Sequence, residues 1–166
     1  MAQSTASQIL TILSAEMQSD DDYISTVVPI LAEIIDQHNH SIEDFIDDDS
    51  KDENGEPDDN RQTLIDAVEE IYSSMGSDFY LDLDGAEYRI IPESDIWEIY
   101  IEKIKNIVED CYSDVLKLDK IPSFIAISID WEETAKNAYA DGYGHTFSSY
   151  DGSEYEAGGH WIFRVN

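Results

Sequence analysis

The sequence predicts an α+β fold, with helices filling the N-terminal half and short antiparallel hairpins at about 78–91 and 143–165. Three observations lead there. Apolar residues recur at three- and four-residue spacing through most of the first 76 positions. From about residue 78 the pattern changes to alternation, and Asp84-Gly85 stands where a two-residue hairpin turn is needed. Finally, 42% hydrophobic residues, among them 22 isoleucines, ten tyrosines and three tryptophans, supply a real core and argue against global disorder. A chain of 166 residues suits one domain, or one domain with a small appendage. Residues 1–76 read as a mainly helical acidic region with a mobile loop at 47–60, and residues 77–166 as an α+β region that can be continuous with it.

The elements follow in order. In 4–18, Ile9, Leu10, Leu13 and Met17 fall near helical spacing, with Ser4 or Thr5 as cap. Asp20 to Asp22 supply negative charge at the start of a second helix, whose apolar side holds Ile24, Val27, Val28, Leu31, Ile34 and Ile35. Pro29 lies inside that stretch and either kinks it or marks its true start. Ile42, Phe45 and Ile46 suggest a third, short helix. Asp47 to Asn60 contains a Gly, a Pro and no apolar residue, and reads as a loop. A helix over 60–75 turns Leu64, Ile65, Val68, Ile71 and Tyr72 inward and stops at Gly76. After the first hairpin comes the clearest helix, from Ser94, lined by Ile96, Ile99, Tyr100, Ile104, Ile107, Val108 and Cys111. The run "IPSFIAISI" fits a buried strand or a short apolar helix equally well. In "DWEETAKNAYADG", Asp130 is an N-cap and Glu133 stands at the capping-box position.

Charge is the outlying property. The chain has 38 acids against nine bases, a net −29, whereas a small soluble domain carries a magnitude of roughly 2–8. Residues 1–70 hold 19 acids and two bases, so −17 lies there; residues 45–60 alone hold eight carboxylates and a single lysine. Such a field repels nucleic acid and anionic membrane and attracts basic partners. Cys111, the single cysteine, precludes an intrachain disulfide and points to a reducing cytoplasm. The opening "MAQSTASQIL" lacks the features of a secretion signal, and no apolar run nears the ~20 residues of a membrane span.

Candidate chemistry is sparse. An EF-hand alignment on Gly55 puts Asp52 and Asn54 well but places Arg61 where the bidentate Glu belongs; one on Gly85 places Tyr80 first and Ile91 last. His38 and His40 lack a third ligand, and His145 and His160 suit a cross-strand pair in the second hairpin. Cys111, on the apolar side of its helix, reads as buried rather than reactive. No nucleophile elbow and no phosphate-binding Gly-rich loop occurs. The expectation is a protein that is not an enzyme and uses neither metal nor cofactor.

Three uses of the charge compete: solubility in brine, a generic surface for a basic partner, and imitation of DNA. Against the first stand the many large aliphatic side chains. The third has a geometric basis. Duplex DNA carries one charge per ~1.7 Å of axis, or ~3.4 Å per strand. A helix rising ~1.5 Å per residue, with two acids per turn on its exposed face, reaches one charge per roughly 2.7 Å.

Leu118, Asp119, Pro122, Ile129, Asp130, Trp131, Glu132, Ala135, Gly142, Phe163 and Arg164 mark a pattern that resembles the C-terminal part of ArdA-type antirestriction proteins. It covers the last ~50 residues, about 30% of the chain. Trp131 and Phe163 read as core within it. The resemblance implies an acidic homodimer, made by a phage or other mobile element, that imitates bent B-form DNA and blocks type I restriction enzymes. Residues 1–75 read as helices rather than as that family's N-terminal strands, so the chain looks composite. Taken together, the expectation is a DNA-mimic inhibitor of a host defence nuclease, either a restriction enzyme or a CRISPR complex, working in the bacterial cytoplasm. Its contact residues would be Glu43, Asp44, Asp47, Asp48, Asp49, Asp52, Glu53, Glu56, Asp58, Asp59, Asp66, Glu69 and Glu70. The alternative is an acidic adaptor for a basic partner that does not bind nucleic acid.

Overall fold

A computed structural model describes residues 4–16, 23–37, 60–116, 120, 122, 125 and 128–166. It has the expected α+β character, with helices leading and antiparallel strands following. Helix α1 spans Thr5–Glu16, a π-helical turn spans Tyr23–Val27, and α2 spans Val28–Gln37. Helix α3 spans Asn60–Ser74, strands β1 and β2 span Phe79–Leu83 and Ala86–Pro92, and helix α4 spans Ile96–Leu116. Then come α5 (Trp131–Ala138), a 3₁₀ turn (Tyr139–Asp141), α6 (Gly144–Phe147), β3 (Tyr155–Ala157) and β4 (His160–Arg164).

Ser4 caps α1: its hydroxyl accepts the Ser7 N–H at 3.3 Å. Pro29 is the second residue of α2. There the π-helical turn has just given way to the α-helix, so the proline sits at the change of helix type. Six of the ten residues of α2 are buried, so this is an interior helix. The Thr5 hydroxyl donates to Asp36 and ties the start of α1 to the end of α2.

The four strands form one antiparallel sheet in the order β1-β2-β4-β3. Each outer pair is a hairpin with a two-residue turn whose central residues both have positive φ: Asp84 (54°) and Gly85 (76°), then Gly158 (57°) and Gly159 (73°). The join between the hairpins is the long-range pairing of β2 with β4, Arg89 opposite Phe163 and Ile91 opposite Trp161. Strand alternation then sorts side chains to two cores. On one face Phe79, Leu81, Leu83, Ala86, Tyr88, Ile90 and Ile162 pack with the buried sides of α1, α2 and α3. On the other, Ile91 and Phe163 pack with Ile96, Tyr100 and Ile104 of α4, Ala135 of α5, Tyr143 and Phe147. The result is a sheet with helices on both faces, and the first core draws on residues from both 1–76 and 77–166.

Cover on the second face is incomplete. Strand β1 alternates buried and exposed, leaving Tyr80 half exposed and Asp82 exposed.

Three expectations need revision. Cys111 is exposed. A 21-residue helix is ~30 Å long, whereas a five- to seven-residue strand spans about 17–23 Å, so the far end of α4 outruns the sheet it packs on. His145 and His160 do not face each other: the 143–165 span opens with α6, which carries His145, and His160 sits opposite Ala157 and Pro92. Trp131 is half-buried rather than core, while Phe163 is fully buried. His38, His40, the short helix at 42–46 and most of "IPSFIAISI" lie outside the described residues.

Candidate interaction surface

Of the thirteen acids expected to make contact, Glu43, Asp44, Asp47, Asp48, Asp49, Asp52, Glu53, Glu56, Asp58 and Asp59 lie outside the described residues. The other three, Asp66, Glu69 and Glu70, are all exposed on α3. Their placement follows from what the helix buries. Leu64, Ala67, Val68 and Ile71 are nearly inaccessible and press α3 onto the first core, leaving positions 66, 69 and 70 outward. Spacings of three and four put them on one side of the helix, within ~6 Å along its axis. Like charges at i,i+4 destabilise an isolated helix by ~0.2–0.5 kcal/mol. Burial of the opposite face holds α3 in place despite that repulsion. The Gln62 side-chain amide donates to Asp66 at 2.6 Å and fixes its rotamer.

Several cations are engaged by neighbours within the chain. Arg89 makes a two-pronged contact with Asp78, Nε to Oδ1 at 3.0 Å and Nη2 to Oδ2 at 2.5 Å, and lies 4.9 Å from the Phe147 ring centre and 5.7 Å from that of Tyr80. The hydrogen bond to Asp78, outweighing burial, raises the Arg89 pKa further. Arg164 sits 3.7 Å over the Tyr150 ring, and its Nε donates to the Asn166 carbonyl at 2.6 Å. Lys136 pairs with Glu132 at 2.9 Å, and Lys105 with Glu102 at 3.7 Å. Both described arginine side chains thus brace the fold rather than neutralise α3.

A second group of acids also serves the fold. The Asp130 carboxylate accepts the Glu133 N–H at 2.9 Å, as the capping pattern predicts. Glu154 accepts the Gly144 N–H at 2.6 Å at the start of α6. Asp151 accepts the Ser148 hydroxyl at 3.0 Å and the Ser153 N–H at 2.8 Å. Burial acts to raise the Asp151 pKa, but those hydrogen bonds and the Arg164 charge outweigh it and hold the carboxyl below its ordinary value. The surface therefore divides into carboxylates that pin loops and helix ends, and carboxylates such as Glu69 and Glu70 that stand outward.

Neither a family model, nor a curated protein, nor a solved structure matches this chain.

Geometry alone must then define the site. Among the described residues no group of three His, Cys, Asp or Glu is placed to hold a metal ion, and Gly85 occupies a tight β-turn. What α3 offers is anionic display on a rigid scaffold, suited to occupying a basic groove.

Sequence reasoning missed an aromatic nucleus on the second face. Tyr100 lies 5.3–6.1 Å, centre to centre, from Trp97, Tyr139, Tyr143 and Phe147. Burial pushes the Tyr100 phenol up while a hydrogen bond with Thr146 pulls the other way, and burial likewise pushes Tyr143 up. The four-residue spacing of Tyr139, Tyr143 and Phe147 was the available signal. Tyr139 falls in the stretch that reads as a helix, and Tyr143 and Phe147 in the one that reads as a hairpin, so the spacing is split between two expected elements.

Proposed function

We propose that the protein is a DNA-mimic inhibitor that occupies the nucleic-acid groove of a bacterial defence nuclease, a restriction enzyme or a CRISPR complex. The observation that carries this reading is the outward acidic row of α3, Asp66, Glu69 and Glu70, in a chain of net charge −29 whose described arginine side chains are engaged elsewhere, Arg89 with Asp78 and Arg164 over Tyr150. A phosphate-binding groove presents Lys and Arg at the spacing of a duplex backbone. Three carboxylates within ~6 Å of helix axis, about one per 3 Å, approach the ~3.4 Å per-strand spacing of phosphates, and buried positions 64, 67, 68 and 71 keep them from collapsing away. Inhibition is competitive occupancy, and its encounter step is steered by opposite charge. The mobile-element origin, the homodimer and the cytoplasmic site of action belong to this proposal and rest on the antirestriction resemblance in the last ~50 residues.

The test is capture of the target from a bacterial lysate on the immobilised protein, followed by elution with duplex DNA. The expected result is a nuclease or guide-RNA complex that short duplex DNA releases, with binding weakened at least about tenfold by the triple reversal Asp66→Lys, Glu69→Lys, Glu70→Lys. Capture that DNA does not reverse, or binding that survives the triple reversal, overturns the proposal in favour of an acidic adaptor.

A further inference from the structure

We infer that the cleft between α4 and the second face of the sheet binds a small organic monocarboxylate, one with a compact aromatic body. This site is separate from the α3 surface, and neither reading depends on the other. The cavity is about 220 Å³ and is lined by Arg89, Ile99, Glu102, Lys103, Asn106 and Phe147. It lies where the Ile99–Asn106 stretch of α4 comes alongside β2, near the part of the sheet over β1 that the helices leave open.

Ile99 and Phe147 provide the apolar surface, and the flat Arg89 guanidinium, 4.9 Å from the Phe147 ring centre, extends it. Asp78 holds Arg89 by Nε and Nη2, which fixes the guanidinium plane; Nη1 makes no hydrogen bond among the described residues. A planar cation beside a phenyl ring favours a second flat ring. Lys103 has no carboxylate within ion-pair distance among the described residues, while neighbouring Glu102 pairs with Lys105 at 3.7 Å. The charged lining residues, Arg89 and Lys103 against Glu102, leave one positive charge in excess, in a chain that is otherwise heavily negative. The ligand's carboxylate belongs beside Lys103 and Asn106, where an ammonium and a side-chain amide donate. Sites for drug-sized molecules run to ~300–1,000 Å³, so this one admits a smaller body, a single ring with a short acid arm.

The test is titration of the isotope-labelled full chain with phenylacetate and with phenylacetamide, its uncharged counterpart, while NMR follows the Ile99 methyl and Asn106 side-chain amide resonances. The expected result is a saturable shift of both signals by phenylacetate, at least about fivefold weaker binding of phenylacetamide, and an about tenfold loss of phenylacetate affinity in Lys103→Glu. Asn106→Ala, also at an exposed position, is the second variant and weakens phenylacetate in the same direction. No saturable shift, equal binding of the two probes, or unchanged affinity in both variants overturns the inference.

Discussion

Asp151 shows how a carboxylate can be a structural part in a protein crowded with them. It accepts the Ser153 N–H, and it shares the single proton of the Ser148 hydroxyl with the Arg164 carbonyl, 2.8 Å from that hydroxyl, so the loop before β3 is hung on the end of β4. Because the folded-state pKa lies below the ordinary 3.8, this carboxylate stabilises the fold above about pH 4 and ceases to do so as pH falls through the folded value. Asp151→Asn should therefore be less stable than the wild type at pH 7, and the gap between their urea midpoints should close on acidification below pH 4. A gap that is constant with pH would mean that geometry rather than charge makes the contribution. At this scale the sequence was partly legible. Ser4 and Asp130 act as caps in the way their spacing from the helices predicts, since capping depends only on near neighbours. Cys111 was misread because helical periodicity says which side of α4 is apolar, not how far along its axis the core extends.

The two hairpins are the elements whose local chemistry and long-range packing are most closely joined. The β3–β4 turn sits against the π-helical turn before α2: a methyl group added to Gly158 would come 2.4 Å from the Thr26 carbonyl oxygen, whereas one added to Gly159 would meet nothing within 4 Å. Both residues have positive φ, so each alanine substitution carries the left-handed backbone penalty of roughly 1–2 kcal/mol. Gly158→Ala adds a backbone clash, so its loss of stability should exceed that of Gly159→Ala by about 1–3 kcal/mol in chemical denaturation. Equal losses would mean that the turn can lift off the N-terminal helices without penalty. The Asp-Gly turn of the first hairpin was legible because two adjacent residues of special φ make a local signal. Within the second, the short helix α6 was not foreseen: its tight approach, with the Gly144 α-carbon packed against the Gly152 carbonyl, depends on chain brought in from eight residues away.

At the scale of the whole molecule, stability is set against self-repulsion. With net charge −29, and with the described arginine side chains bracing the fold, the folded chain holds many like charges closer together than the unfolded chain does. Screening should relieve this: raising monovalent salt from 10 mM to 0.5 M shortens the Debye length from ~30 Å to a few ångströms and should raise the melting temperature by on the order of 5 °C. Sodium and tetramethylammonium chloride should act alike; a rise with sodium alone would point to a bound ion rather than to screening. The α+β class could be read from the change of period near residue 78, because period is a property of consecutive residues. The joining of the hairpins through β2 and β4 could not, since Arg89 and Phe163 meet across 73 positions of chain with no pattern in either to announce the other. That junction also constrains when the molecule can exist at all. An inner strand that is the latest of the four must arrive before either helical layer has a finished floor, so a growing chain stays open, with its greasy surfaces uncapped, until position 164 has cleared the ribosome. Deleting residues 160–164 would therefore remove the keystone of both layers, not a fringe.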